Sequence, residues 1–234
     1  MTLPHAHVAH QTILVLDFGS QYTQLIARRL RELSVYSEIV SHKISAVEIR
    51  KSRPQGIILS GGPASLSEPG APTCDPDVFE LDIPILGICY GMQLLTKQYG
   101  GMVGGASERE YGPATVSVTA EGAEGLFRHA PAELKVWASH GDFIREAPPG
   151  FDVMGTSPNA PVAAMVDPDR KRYGLLFHPE VVHTDHGSTI LENFTHVCDC
   201  RGDWTMSSFV DEATETIQST VGSNGRVLCG LSGG

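Results

Sequence analysis

The chain is short of positive charge. Its 17 Lys and Arg face 27 Asp and Glu, a formal net charge of −10. That balance argues against non-specific binding to nucleic acid or to an anionic membrane, both of which need basic surface. No apolar run is long enough to span a bilayer. The five cysteines, Cys74, Cys89, Cys198, Cys200 and Cys229, are odd in number and form no C-x-x-C pair. They suit a reducing cytoplasm better than a disulfide framework or a zinc site. Met1 to Gln11 lacks the basic stretch and apolar run of a secretory signal. Its His5, His7 and His10 read as part of a disordered polar leader rather than as metal ligands. There are no internal repeats. At 234 residues and 41% hydrophobic content, the chain can bury one large α/β core, or one domain and a piece of another.

The first half alternates strand and helix patterns. Thr12 to Leu16 is a continuous apolar run of the kind a buried parallel strand requires. A helical spacing of Leu25, Ile26, Arg29 and Leu30 follows, and Val35 to Val40 and Gly56 to Leu59 read as further strands. The latter breaks into Ser60-Gly61-Gly62-Pro63, and a proline-rich loop leads to an apolar strand at 83–88. This order predicts a doubly wound, mostly parallel sheet, whose ligands bind beyond the carboxyl ends of its strands. From Gly112 the pattern turns β-rich: Ala114 to Val118, Leu134 to Ala138, Val162 to Val166 and Tyr173 to Phe177. Ser139-His140-Gly141-Asp142 and Pro148-Pro149-Gly150 read as turns between them. A helix is expected from Ser188 or Thr189, with Thr189 and Glu192 as a capping box, and another from Met206 to Ile217.

The chemistry centres on Gly87-Ile88-Cys89-Tyr90-Gly91, where a strand turns sharply into a helix. A nucleophile on such an elbow needs small neighbours, because side chains two positions either way would clash. The helix start aims its free N–H groups at the sulfur. Read alone, a Cys between glycines is as often a buried structural thiol. A Cys nucleophile needs a base, and the base needs an orienter. His178 and Glu180 sit two apart on an extended segment and can face one side, while His140 is a competing base. Gln93, four residues beyond Cys89, shares its helix face. Cys198 reads as core, and Cys74 and Cys200 as idle thiols. His183, Asp185 and His186 read as a polar loop before a helix, and no metal site is expected.

Gly87 to Gln93, with His178-Pro179-Glu180 downstream, resembles the class I (triad) glutamine amidotransferases, over about Ile13 to Cys200. The resemblance implies their flavodoxin-like fold with flanking helices and a smaller β-rich portion. Asp17 to Tyr22, Ser60 to Pro63, Ser139 to Asp142 and His178 to Val181 narrow it to the subfamily that converts xanthosine monophosphate to GMP. Val227 to Gly234 resembles the opening of the PP-loop of the ATP-pyrophosphatase domain that follows there. The implied division is a leader (1–11), a glutamine amidotransferase domain (12–204), a linker helix and turn (205–225) and the truncated start of the next domain (226–234). Carried onto these positions, the resemblance makes Cys89 the nucleophile, His178 the base and Glu180 its orienter. Backbone N–H groups of Gly62 and Tyr90 would form the oxyanion hole, and Gln93, Ser139, Gly141 and Asp142 would bind L-glutamine. The glutaminase part would need no cofactor. ATP and Mg2+ would belong to the synthetase domain, the expected partner, and a homodimer of the full-length enzyme stays open. Amidotransferases with other acceptors (anthranilate, carbamoyl phosphate, CTP) and a non-catalytic module are the alternatives. The intact Cys89, His178 and Glu180 set weighs against the second.

Overall fold

The computed structural model describes residues 10–205, apart from the side chains of 106–109, and scattered positions between 210 and 228. Residues 1–9 of the expected leader, most of the Met206–Ile217 helix, Cys229 and most of the 226–234 segment lie outside the described residues. The end of that leader is not loose: the Gln11 amide donates to Asp203, its side chain donates to Asp199 O, and its Oε1 accepts from the Arg201 amide.

The chain runs β1 (Thr12–Asp17), α1 (Thr23–Glu32), β2 (Tyr36–Ser41), α2 (Ala46–Ser52), β3 (Gly56–Leu59), β4 (Ile85–Ile88) and α3 (Tyr90–Gln98). Then come β5 (Met102–Val118), α4 (Ala120–Glu124), β6 (Glu133–Glu146), β7 (Asp152–Ser157), β8 (Ala160–Asp167), β9 (Arg172–Leu175) and α5 (Gly187–Val197). The strands of the described residues form one sheet in the order β2-β1-β3-β4-β9-β8-β6-β5-β7. The first five run parallel to one another. Ile13, Leu14, Val15, Leu16, Ile57, Ile58, Leu59, Ile85, Leu86 and Ile88 of this part are buried. Strands buried on both faces are apolar throughout rather than alternating, as β3 and β4 are. The β-rich portion continues the same sheet, antiparallel from β9 onward.

Two local readings are corrected. Ser139 to Asp142 is no turn; it lies within β6, with Ser139 opposite Tyr111, His140 opposite Glu110 and Asp142 opposite Gly105. A short Ser-His-Gly-Asp run has turn composition, but the long partner strand β5 supplies a ladder that decides its conformation. The helix near Ser188 starts at Gly187, behind a left-handed His186 (φ 56°) that makes no side-chain cap. Thr189 therefore lies inside the first turn, and the expected capping box does not form. The entry point is fixed by packing, because a Cβ on Gly187 would overlap the Pro179 carbonyl. A capping box does form at α2, where Ser45 Oγ accepts from the Glu48 amide and the Ser45 amide donates to Glu48 Oε2. Helices α2 and α4 and strand β7 had no counterpart in the sequence reading.

Arg172 opens β9, buried and without a carboxylate partner among the described residues. Its guanidinium donates to the carbonyls of Ile83 (2.8 Å), Arg170 (2.6 Å), Phe79 (2.8 Å) and Leu81 (2.6 Å), and to the Tyr99 hydroxyl (3.0 Å). The cation thus ties the loop ahead of β4 to the strand that pairs with it.

Candidate active site

Cys89 stands between β4 and α3 with φ 52° and ψ −105°. A non-glycine residue held there is strained, and its surroundings must impose the geometry. They do so by close approach. A Cβ on Gly87 would lie 2.5 Å from the Gly91 carbonyl, and one on Gly91 would overlap the Leu59 carbonyl of β3. The Cys89 amide donates to Leu175 O of β9 at 2.7 Å, which fastens the elbow to the neighbouring strand. Tyr90 is the first residue of α3, so its N–H has no acceptor within the helix. The Cys89 thiol donates to the Ser139 carbonyl at 3.4 Å.

His178 and Glu180 follow directly on β9. An isolated bridge between Ala138 and Phe177 and a bond from the His178 amide to Trp137 O (3.1 Å) hold this segment against β6. His178 Nδ1 lies 2.7 Å from Glu180 Oε1, and both side chains are buried. A carboxylate can only accept, so the proton sits on Nδ1 and Nε2 is left for the Cys89 thiol. Burial opposes charge on His178, yet its hydrogen bonds to Cys89 and Glu180 prevail and its pKa is pushed up to about 10. The three expected triad residues are brought together.

An open cleft of about 720 Å³ lies in front of them, lined by Gly62, Cys89, Gln93, Ser139, Gly141, Asp142 and His178 among others. Gln93 is buried; its amide nitrogen donates to Asp142 O at 3.3 Å, while its Oε1 has no partner among the described residues. Ser65 Oγ donates to Asp142 Oδ2 at 2.5 Å, tying the loop after Gly62 to β6. His140 also lines the cleft, but its Nε2 faces Glu110 Oε2 at 3.4 Å. Burial lowers its pKa against the pull of Glu110.

Several neighbours of the triad were not foreseen. The Tyr22 ring stands edge-on to His178 with centroids 5.1 Å apart. Thr184 Oγ1 donates to His178 O and accepts from the Trp137 amide. Arg29 Nε donates to Glu180 O at 3.1 Å. Local sequence carries no signal for Arg29 or Ser65, whose partners are 151 and 77 positions away. The His183 ring lies tilted against Trp137 with centroids 4.7 Å apart, Asp185 bonds Lys135 O through its amide, and His186 precedes α5. Among the described residues no group of three or more His, Cys, Asp or Glu could hold a metal ion. Burial raises the thiols of Cys74 and Cys200, to about 12 and about 11, and that of Cys198 too. None of these three lines the cleft. Among the described residues no helix is long and apolar enough to cross a membrane.

An elbow cysteine, a histidine and a glutamate gathered at the carboxyl ends of parallel strands have a counterpart among known proteins. Residues 14–198 match the family "Glutamine amidotransferase class-I". The chain belongs to that family, the one its motifs resemble. More narrowly, it is 54% identical over 225 residues to the GMP synthase [glutamine-hydrolyzing] of Staphylococcus aureus strain Newman, across 96% of this chain and 43% of that protein. It is 52% identical over 228 residues to the enzyme of that name from Bacillus subtilis strain 168, across 97% of this chain and 44% of that protein. The chain thus spans less than half the length of these curated relatives. Among solved structures, a Thermoplasma acidophilum protein described as a candidate GMP synthase subunit superposes with a TM-score of 0.72 at 31% identity, covering 89% of this chain and 100% of that one. A Thermotoga maritima glutamine amidotransferase gives a TM-score of 0.57 at 20% identity over 90% and 85% of the two chains, a likeness of fold.

Proposed function

We propose that this chain is the glutaminase part of a GMP synthase, hydrolysing L-glutamine to glutamate and ammonia. The observation that carries the reading is His178 held between Glu180 and the strained, cleft-facing Cys89. In the reacting pair the Cys89 proton resides on His178 Nε2, and the sulfur attacks the side-chain amide carbon of glutamine. The N–H groups of Gly62 and Tyr90 hold the oxyanion of the tetrahedral intermediate; a single preorganised donor of this kind contributes about 3 kcal/mol. His178 protonates the nitrogen as the C–N bond breaks, releasing ammonia and leaving a thioester. It then takes a proton from water, whose oxygen displaces the sulfur and gives glutamate. Glu180 orients the imidazole and balances its charge throughout. Gln93, Ser139, Gly141 and Asp142 hold the body of the glutamine.

The acceptor is adenylated xanthosine monophosphate on an ATP-pyrophosphatase domain, where ATP and Mg2+ belong. The identity of more than half to the two GMP synthases supports this over other acceptors. An odd number of cysteines without a C-x-x-C pair suits a reducing compartment such as the cytoplasm. Ammonia release from glutamine is the test. Cys89→Ala and His178→Ala should each abolish it, and an electrophilic glutamine analogue should label Cys89 alone by mass mapping. An adduct on Cys74, Cys198 or Cys200, or undiminished release from either variant, defeats the reading. Release should rise with ATP and xanthosine monophosphate only when the synthetase domain is present.

A further inference from the structure

The donor peptide before Pro63 is held from behind. Ser60 directly follows β3 and is fully buried, with its amide on Leu16 O at 3.1 Å. Its hydroxyl accepts from the Phe18 amide at 2.9 Å and donates to the carbonyl of Gly61 at 2.9 Å. In a planar trans peptide the carbonyl and the following N–H point in opposite directions. Anchoring the Gly61 oxygen in the interior therefore turns the Gly62 N–H the other way, toward the cleft that Gly62 lines. The flanks are equally tight. A Cβ on Gly61 would sit 3.1 Å from His178 Cε1 and 3.7 Å from Cys89 Cβ, and one on Gly62 would sit 2.8 Å from Phe18 O. A Gly-Gly peptide is otherwise the easiest in a chain to rotate, because neither residue has a Cβ to oppose it.

We infer that Ser60 is a positioning residue for the reaction: its hydroxyl, fixed on the Phe18 amide, locks the Gly61–Gly62 peptide with its N–H aimed at the developing oxyanion. The inference rests on the glutaminase reading above. It makes this half of the oxyanion hole a standing feature of the fold, set by a side chain that never meets substrate.

The test separates the lock from general damage. Ser60→Ala should lower kcat for glutamine hydrolysis by roughly 10²-fold, the loss expected for one oxyanion donor, with little change in KM. Iodoacetamide alkylates a thiolate by displacing iodide and builds no oxyanion. Its rate at Cys89, followed by mass mapping, should be the same in Ser60→Ala and wild type. The alanine also strips the Phe18 amide of its acceptor, so melting curves accompany the rates. Ser60→Cys keeps the size and a weak donor, and its hydrolysis should fall between the two. Wild-type rates in the folded variants overturn the lock, as does an equal loss of alkylation and hydrolysis. A wild-type chain that fails to hydrolyse glutamine overturns the glutaminase reading beneath it instead.

Discussion

Glu180→Gln preserves the volume of a side chain that is 0% exposed and removes its charge. Oε1 sits 2.7 Å from His178 Nδ1, and both side chains are buried. When Cys89 gives up its proton, the imidazole becomes a cation, and the carboxylate is the charge that compensates it. Two unit charges about 4 Å apart interact by ~4 kcal/mol at an effective dielectric constant of ~20. At about 1.4 kcal/mol per factor of ten, the variant should lose up to roughly 10³-fold in kcat. The resting site already favours protonated His178, so some of that interaction is present before the reaction and the loss falls at or below this figure. KM should change little, because Glu180 does not line the cleft. Stability carries a second signature with a definite sign. The pKa of His178 is raised from 6.5 to about 10, so its contribution is complete below the lower value and is lost as pH rises through the higher one. The gap in melting temperature between wild type and Glu180→Gln should therefore close as the pH passes about 10. Initial rates of ammonia release and melting curves across pH measure both. A variant within tenfold of wild type, or a gap that widens with pH, refutes the reasoning.

The other expectations concern scaffold and base. Arg172→Met should lower stability by about 3–5 kcal/mol, because four carbonyls lose a charged donor in a buried place while the cost of desolvating the cation is recovered. Denaturant unfolding reads it, and a loss under about 1 kcal/mol would show the cage to be energetically neutral. Gly91→Ala should abolish hydrolysis, since its Cβ meets backbone at Leu59 rather than a side chain that can yield. An active, folded Gly91→Ala protein would mean the elbow can relax. His140→Ala should keep far more activity than His178→Ala, because its ring is committed to Glu110. The reverse order would move the base to β6.

The parallel half of the sheet was legible because its central strands β1, β3 and β4 are apolar runs ending in glycine-rich or polar breaks, as at Leu16-Asp17 and Leu59-Ser60. The elbow was legible for the same reason that it works. Only glycine fits at 87 and 91, and a sequence records a steric demand of that kind directly. The Ser45–Glu48 capping box that marks α2 was passed over, although its two residues stand three apart in the sequence. What sequence could not carry was pairing at long range. Ser139 to Asp142 has turn composition, and only the register with β5 makes it strand. Arg29, Ser65, Tyr22 and Thr184 surround the triad through contacts whose two ends share no local pattern.

The position of the site follows from how the two kinds of pairing meet. β4 and β9 are parallel neighbours, so their carboxyl ends lie side by side. One end turns into the Cys89 elbow and the other runs on into His178. Parallel pairing alone would place the two residues near each other and leave the imidazole free to swing. The antiparallel half removes that freedom. β6 accepts the His178 amide through Trp137 O, bridges Phe177 through Ala138 and takes the Cys89 thiol on Ser139 O. Three consecutive residues of one strand thus touch the base, the chain leading into it and the nucleophile. The next residues of β6, Gly141 and Asp142, line the cleft. A shift of β6 by one residue would exchange its two faces, turning Ser139 and Gly141 away and moving the wall of the cleft with them. Twelve residues of β5, paired along most of the length of β6, are what prevent it.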